Sequence, residues 1–446
     1  MEKSARGLAV DILARVLDGG AYGNRMLSAE LGRTSADRLT KAFVTELVGG
    51  CLRNVMYIDF VIDWFARARE LRPFIRNVLR LGAYQLIYMD RTPAFAAINE
   101  AVALTKERGY ADLSGFVNAV LRNIQRNKAS LPVPESGDAV RRLSVTYSHP
   151  EWISRLFLAE LGGDTTALER LLAVNQSAPR VTLAVNTTRT TAERLAEELR
   201  AAGVKVRPGR FMPDSLRVSR TNDIRALDCY NKGLFHVMDE SAALAVRAAN
   251  PSPGQVVADV CAAPGGKALL AATLMKNTGR VLARDISGVK LALLAESAGR
   301  LGLSAIETEE RGAADPGSDP MEGVADIVLV DAPCTGLGVI RKRPEIKLNR
   351  EPEDIVRMRD LQRGILGAAW RLVKPGGTLV YSTCTLTREE NGGNADWFLA
   401  HHPFRAESFA EALPEGIAED APGRVTVWPH VFSTDGFFVA KFSRRK

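Results

Sequence analysis

The sequence predicts an α/β protein built on an open parallel sheet, preceded by an all-α bundle and a small α+β segment. Three observations predict this. Apolar residues recur at spacings of three and four through residues 4–127 with no alternating run. A short β-α-β pattern lies within residues 141–235, and from residue 236 short apolar runs alternate with helical stretches. At 446 residues the chain is too long for one core, so three domains are expected, 1–130, 141–235 and 236–446.

In the first segment, helices are expected at Ala5 to Leu17, Lys41 to Arg53, Tyr57 to Phe65, Pro73 to Met89, Ala96 to Arg108 and Gly115 to Gln125. The last of these puts Phe116, Val120 and Ile124 on one stripe, which core packing explains, and leaves Arg122 and Arg126 to point elsewhere. Leu131-Pro-Val-Pro-Glu-Ser-Gly-Asp138 reads as a linker. Beyond it come helices at Trp152 to Leu161 and Thr166 to Asn175. A strand at Arg180 to Asn186, a helix at Ala192 to Ala202, and strands at Val204 to Pro208 and Ser215 to Val218 follow. In the last segment the runs Val256 to Val260, Val281 to Asp285, Ile327 to Asp331 and Thr378 to Ser382 read as parallel strands, separated by helices such as Lys267 to Met275, Lys290 to Leu301 and Asp360 to Val373.

Composition excludes several classes. No apolar run approaches the roughly 20 residues of a membrane span, and Met1 to Gly7 lacks the apolar core of a signal peptide, so a cytoplasmic protein is expected. Cys51, Cys229, Cys261, Cys334 and Cys384 are odd in number, have no C-x-x-C spacing, and accompany only five histidines, which argues against disulfides and against zinc. The net charge of +7 is concentrated early: residues 1–130 carry 19 Lys and Arg against 13 Asp and Glu, residues 236–446 carry 25 against 27. That asymmetry fits a near-neutral catalytic half and a basic half that holds a polyanion such as RNA, although such a charge equally keeps a helical domain in solution. Lys205, Arg207, Arg210, Arg217, Arg220, Arg225 and Lys232 face three acidic residues in the same stretch, giving either a phosphate-tracking edge or a solvated face.

Three of the apolar runs contain or end in Asp at Asp259, Asp285 and Asp331, and in an open parallel sheet such positions line one crevice beyond the carboxyl ends of the strands. Each Asp alone is explained as a cap or turn residue; the coincidence of three is not. The turn after the first strand, Asp259-Val-Cys-Ala-Ala-Pro-Gly-Gly-Lys267, is not a Walker A loop, because Cys261 stands where Gly is needed and Ala268 where Ser or Thr is needed. It also lacks G-x-G-x-x-G. What remains is a strand, a tight Pro264-Gly265-Gly266 turn that admits a ligand close to the backbone, and an acidic Asp285 placed for a ribose diol, the layout of an S-adenosylmethionine site.

Cys334 in Asp331-Ala-Pro-Cys-Thr-Gly and Cys384 in Tyr381-Ser-Thr-Cys-Thr both follow strand ends. Free cysteines usually serve as small buried apolar residues, and Cys51, Cys229 and Cys261 are read that way. For Cys334 and Cys384 a catalytic pair is the better reading. C5 of cytosine is a poor nucleophile, so methylating it calls for thiolate addition at C6 and later removal of the C5 proton, and two jobs suggest two thiols.

These motifs, with Arg343-Pro-Glu-Ile-Lys347, Glu389-Glu-Asn391 and Asp435-Gly-Phe-Phe438, resemble the NOP2/Sun group of RNA (cytosine-C5) methyltransferases. Ala97-Ile-Asn-Glu-Ala-Val102 and Gly115-Phe-Val-Asn-Ala-Val-Leu-Arg122 resemble the NusB-like domain fused to its RsmB (Sun) branch, whose members methylate a cytosine of 16S ribosomal RNA. The resemblance spans nearly the whole chain. It implies a Rossmann-like class I methyltransferase domain, a NusB-like RNA-binding bundle, and an RNA-contacting α+β segment. It further implies S-adenosylmethionine bound by Cys261, Ala262, Ala263, Pro264, Gly265, Gly266, Lys267, Asp285, Gly312 and Asp331, with Gly312 standing where the family carries an Asp near adenine. By the same resemblance Cys384 attacks C6, Cys334 helps release the product, and Asp331 hydrogen-bonds N3 of cytosine. Lys347 and Arg341 are candidates to favour the Cys384 thiolate. A monomer without metal is expected. Two other readings stay open: the same chemistry on another RNA such as transfer RNA, and a catalytically weak RNA-binding assembly factor.

Overall fold

The computed structural model describes residues 4–20, 23–67, 70–135, 137–219, 223–315 and 319–446; Met1, Ser136 of the linker and Arg220 of the basic stretch lie outside them. The chain divides into two compact units, one of residues 1–178 with 340–350, the other of residues 179–339 with 351–446.

The first unit is helical. Helices Ala5–Leu17, Gly23–Arg33, Arg38–Ala66, Pro73–Tyr88, Ala94–Glu107 and Ser114–Arg126 enclose a core that includes Ile12, Leu47, Ile58, Leu79, Ile98, Val120 and Ile124. Their starts follow local chemistry: Asp37 accepts from the Thr40 amide at 2.8 Å, and Pro73 takes the first helical position. Where the sequence suggests two helices, one helix of 29 residues runs from Arg38 to Ala66. Asn54 does not break it, because its side-chain amide donates to the Gly50 carbonyl at 2.9 Å and is buried with it. Helices Ala139–Thr146, Glu151–Glu160 and Thr165–Gln176 also group with this unit, whereas the sequence reading sets them beside the small sheet. The segment Ile340–Arg350 returns to it from the second unit, and Leu348 packs on the bundle core. No helix among the described residues is long and apolar enough to cross a membrane.

The second unit holds two sheets. Strands β1 (Val181–Val185), β2 (Lys205–Pro208), β3 (Ser215–Ser219) and β4 (Phe235–Val237) form an antiparallel sheet of order β2-β3-β1-β4. One face, with Leu183, Val185, Leu216 and Val218, packs on Leu195 and Leu199 of helix Ala192–Ala201. The opposite face near β4, with Ala184, joins the core beneath the larger sheet. Glu240, buried at the start of helix Glu240–Ala249, ties the two together by accepting from the Arg210, Phe211 and Met212 amides and from Ser215 Oγ at 2.8–3.0 Å.

The larger sheet contains β5 (Val256–Asp259), β6 (Arg280–Asp285), β7 (Ile306–Glu310), β8 (Ala325–Asp331), β9 (Val373–Thr383), β10 (Phe404–Ala406), β11 (Arg424–Val427) and β12 (Phe437–Arg444). Its order is β10-β12-β9-β8-β5-β6-β7, with β11 also paired to β12. Strands β5 to β9 are mutually parallel and β10 to β12 antiparallel, so the parallel sheet read from sequence is extended by an antiparallel margin. Order reverses between β5 and β8, the switch point at which such sheets open a crevice for ligands.

Close packing in the bundle yields a test. A Cβ on Gly50 would lie 1.9 Å from Cζ of the Tyr84 ring. Gly50→Ala is therefore expected to lower stability by about 1–3 kcal/mol, read as a shifted denaturant midpoint. An unchanged midpoint would show that the ring moves aside freely.

Candidate active site

The turn after β5 is built to present backbone. The Val260 amide donates to the Leu329 carbonyl at 3.1 Å, Ala262 to the Arg284 carbonyl at 2.8 Å, and Ala263 to Oδ2 of Asp285 at 3.1 Å. A cis Ala263-Pro264 bond and Gly265 at φ +113 then turn the chain into helix Gly266–Leu274. Only glycine serves at 265, since a Cβ there would also sit 2.6 Å from Cγ of Leu294. Asp285 closes β6 and accepts from the Ser287 amide with its second oxygen at 3.0 Å, so both ends of its carboxylate hold a turn at the crevice. Gly312 follows the end of β7, and its amide donates to Asp315 at 2.6 Å. The expected cofactor residues Cys261 to Lys267, Asp285 and Gly312 thus lie past the carboxyl ends of β5, β6 and β7.

Charge in the crevice is unbalanced. Lys267 Nζ lies 2.6 Å from Asp331 Oδ2 and 4.9 Å from the Phe437 ring centroid, and Ser382 Oγ donates to Asp331 Oδ1 at 2.9 Å. Asp259 is buried at the end of β5 with neither carboxylate oxygen hydrogen-bonded. Burial, reinforced by Asp331 and opposed by Lys267, raises its carboxyl to about 7. Three carboxyl groups against one nearby ammonium favour a cationic ligand.

Asp331 ends β8, Cys384 follows β9, and these two strands are neighbours, so the two cysteine loops lie side by side. Cys334 Sγ and Cys384 Sγ are 3.3 Å apart, both unoxidised. The Cys334 thiol is raised well above its ordinary value, first by its hydrogen bond with Cys384 and next by burial. It therefore keeps its proton and can donate it toward the Cys384 sulfur.

What spaces the thiols is a residue for which the sequence assigns no role. Glu390, fully buried, accepts from the Thr335 amide at 2.9 Å and Gln362 Nε2 at 2.9 Å with one oxygen, and from Thr335 Oγ1 at 2.5 Å and Thr387 Oγ1 at 2.9 Å with the other. Thr335 and Thr385, each next to a cysteine, are 2.8 Å apart through their hydroxyls. The carbonyl of Cys384 accepts from Gly338, whose own carbonyl accepts from Gly436 at 2.8 Å, so Asp435-Gly-Phe-Phe438 supports the same loop. The Glu389-Glu-Asn391 motif was the only signal that pointed to Glu390.

Lys347 and Arg341 lie in the helical unit, where Lys347 is buried and donates to the Arg53 carbonyl at 2.7 Å. Burial, with Arg53 nearby, lowers its amine to about 7. Its one described hydrogen bond anchors the returning segment.

An open sheet of this order, with a glycine turn after β5 and acidic strand ends, defines a class I methyltransferase fold. The chain belongs to the RsmB/F family: residues 246–443 match the family model described as 16S rRNA methyltransferase RsmB/F, residues 3–126 the NusB family, and residues 149–225 the ferredoxin-like domain of RsmF/B-like methyltransferases. It is 36% identical over 99% of both chains to "Probable ribosomal RNA small subunit methyltransferase B" of Bacillus subtilis (strain 168). It is 32% identical to "Ribosomal RNA small subunit methyltransferase B" of Salmonella arizonae, over 100% of this chain and 99% of the other. The crystal structure of PH0851 matches with a TM-score of 0.81 at 27% identity, covering 100% of each chain.

Two tests follow from this geometry. Glu390→Ala leaves the buried Thr335 amide without an acceptor and Gln362 Nε2 with only its bond to the Pro333 carbonyl, and is expected to cost roughly 3 kcal/mol of stability, Glu390→Gln less, as measured by chemical denaturation. A loss within about 0.5 kcal/mol for both would show that the clamp is dispensable. For Lys347, the folded value of about 7 lies below the ordinary lysine value of 10.5. Its destabilising effect is thus complete below pH 7 and fades as pH rises to that ordinary value. Lys347→Met is expected to stabilise the protein more at pH 6 than at pH 10, and equal shifts at both would sink this account.

Proposed function

We propose that the protein transfers a methyl group from S-adenosylmethionine to C5 of a cytosine in 16S ribosomal RNA, through a covalent bond between Cys384 and C6. The observation that carries this reading is the pair of thiols 3.3 Å apart beside the Lys267–Asp331 ion pair. Full-length relatives named as small-subunit ribosomal RNA methyltransferases support the substrate.

The crevice suits the methyl donor. Residues Cys261 to Lys267 and Asp285 would hold its amino-acid and ribose portions, with Gly312 near the base, and Asp259, buried and lacking hydrogen-bond partners, suits its ammonium group. When bound, S-adenosylmethionine supplies an electrophilic methyl group.

The protein's own groups do the rest. Cys334, holding its proton, stabilises negative charge on Cys384 and leaves the latter as the nucleophile. Asp331, held by Lys267 and Ser382, takes the proton that the Cys384 thiol gives up and donates it to N3 of the ring, so that the negative charge thiolate addition places there is neutralised; the proton returns to Asp331 on release. Once Cys384 is a neutral thioether, its hydrogen bond and charge no longer raise the Cys334 thiol, which burial still raises. Cys334 gives its proton to solvent and takes the C5 proton as a thiolate; the electron pair left at C5 re-forms the 5,6 double bond as the Cys384–C6 bond breaks, and Cys384 leaves as thiolate.

Methyl transfer from labelled S-adenosylmethionine to unmodified small-subunit RNA tests the scheme. Cys384→Ala is expected to lose both transfer and covalent complex, and Cys334→Ala to accumulate a protein–RNA adduct that denaturing gels retain. The reverse pattern would exchange the roles. A preference for transfer RNA transcripts over small-subunit RNA would overturn the substrate.

A further inference from the structure

We infer that Cys334 and Cys384 are also a site of oxidative modification, at which a peroxide joins the two sulfurs in a disulfide that stops methyl transfer reversibly. This goes beyond the proposed function and rests on it only for the effect on activity. The two sulfurs are 3.3 Å apart, unoxidised, and both residues are partly exposed. Closing them to the roughly 2.05 Å of a disulfide needs a movement of about 1.3 Å, which side-chain rotation supplies.

The backbone already holds the two residues at a suitable separation. β8 and β9 are adjacent parallel strands with Asp331 opposite Ser382, and the cysteines lie three and two residues further on. Neighbouring strands run about 4.8 Å apart, inside the roughly 4.4–6.8 Å between Cα atoms that disulfides span. Past the strands the loops stay together, because the Thr335 and Thr385 hydroxyls are 2.8 Å apart and Glu390 accepts from both Thr335 and Thr387. The bond can thus form with that clamp in place. Cys51 and Cys229 are placed differently: Cys51 is buried in the bundle and donates to the Arg80 carbonyl at 3.7 Å, and Cys229 is buried in the core of the small sheet.

The chemistry balances with hydrogen peroxide as the oxidant. Cys334 keeps its proton, through its hydrogen bond with Cys384 and its burial, so Cys384 is the sulfur that meets the peroxide first. The Cys384 thiolate attacks one oxygen, the O–O bond breaks, and the departing hydroxide takes up the proton Cys384 lost, leaving water and a sulfenic acid. Cys334 then attacks that sulfur as its own proton passes to the leaving hydroxyl; the S–S bond forms, the S–O bond breaks and a second water departs. Two electrons have moved from the sulfur pair to the peroxide. A dithiol reverses the bond through a mixed disulfide, whereas a sulfenic acid with no neighbouring thiol goes on to sulfinic acid, which thiols do not reduce. Cys334 therefore has a second task, to keep oxidation of the nucleophile reversible.

The test exposes the full-length protein and its Cys334→Ala variant to a small excess of hydrogen peroxide without RNA, and follows intact mass, unreduced peptides and methyl transfer over time. In the parental protein the mass should fall by two hydrogens, one peptide should link Cys334 to Cys384, and methyl transfer should drop by more than about tenfold in step, all reversed by dithiothreitol. Cys334→Ala should instead gain two oxygens on Cys384 as sulfinic acid, which dithiothreitol leaves in place. Sulfinic acid on Cys384 of the parental protein with no linked peptide would overturn the disulfide. A linked peptide with methyl transfer retained would overturn the switch, and with it Cys384 as the nucleophile. A parental protein with no methyl transfer before oxidation sinks the proposed function, while the linked peptide still decides the modification.

Discussion

A carboxylate withdrawn from water must have its lone pairs filled by donors, and Glu390 meets that requirement by drawing four of them from separate stretches of chain. Two come from Thr335, the residue after Cys334; the others come from Thr387, three residues after Cys384, and from Gln362 on helix Pro352–Ala369. Satisfying one buried anion therefore fixes both cysteine loops at once. The thiol spacing follows from this, and the coupling between the sulfurs follows from the spacing.

The sheet supplies the second constraint. Parallel strands must all present their carboxyl ends on one side, so Asp259, Asp285 and Asp331 collect in a single crevice whatever the loops between them do. Their mutual repulsion is tolerated because each is handled differently. Asp285 is bonded to backbone amides on both sides, Asp331 is paired with Lys267, and Asp259 takes up a proton more readily than an exposed carboxyl does. The result is a crevice with an acidic bias and one ammonium held against Asp331.

The acidic crevice contrasts with the small sheet, where Arg180, Lys205, Arg207 and Arg217 cluster near β2 and β3, while Glu240 anchors that sheet against the neighbouring core. Lys347 illustrates the opposite use of a cation: withdrawn from solvent and bonded to one carbonyl, it secures a returning segment in the helical unit.

The sequence by itself determined most helices of the bundle, though not Gly23–Arg33 or the continuity of Arg38–Ala66, together with strands β5, β6, β8 and β9 and the placement of Asp259, Asp285, Asp331, Cys334 and Cys384 at strand ends, because buried parallel strands and amphipathic helices leave periodic marks within a few residues. Strand β7 escaped notice because Ile306-Glu-Thr-Glu-Glu310 looks unlike a strand; it becomes one only where Arg280 and Arg284 of β6 pair with Glu307 and Glu309. Antiparallel β12 and three-residue β4 likewise exist through pairing with β9 and β1. The seat of Lys347, the role of Glu390 and the opposition of Arg207 to Arg217 were decided by tertiary structure alone. Each depends on which distant segment fills the neighbouring space, and local periodicity carries no record of that.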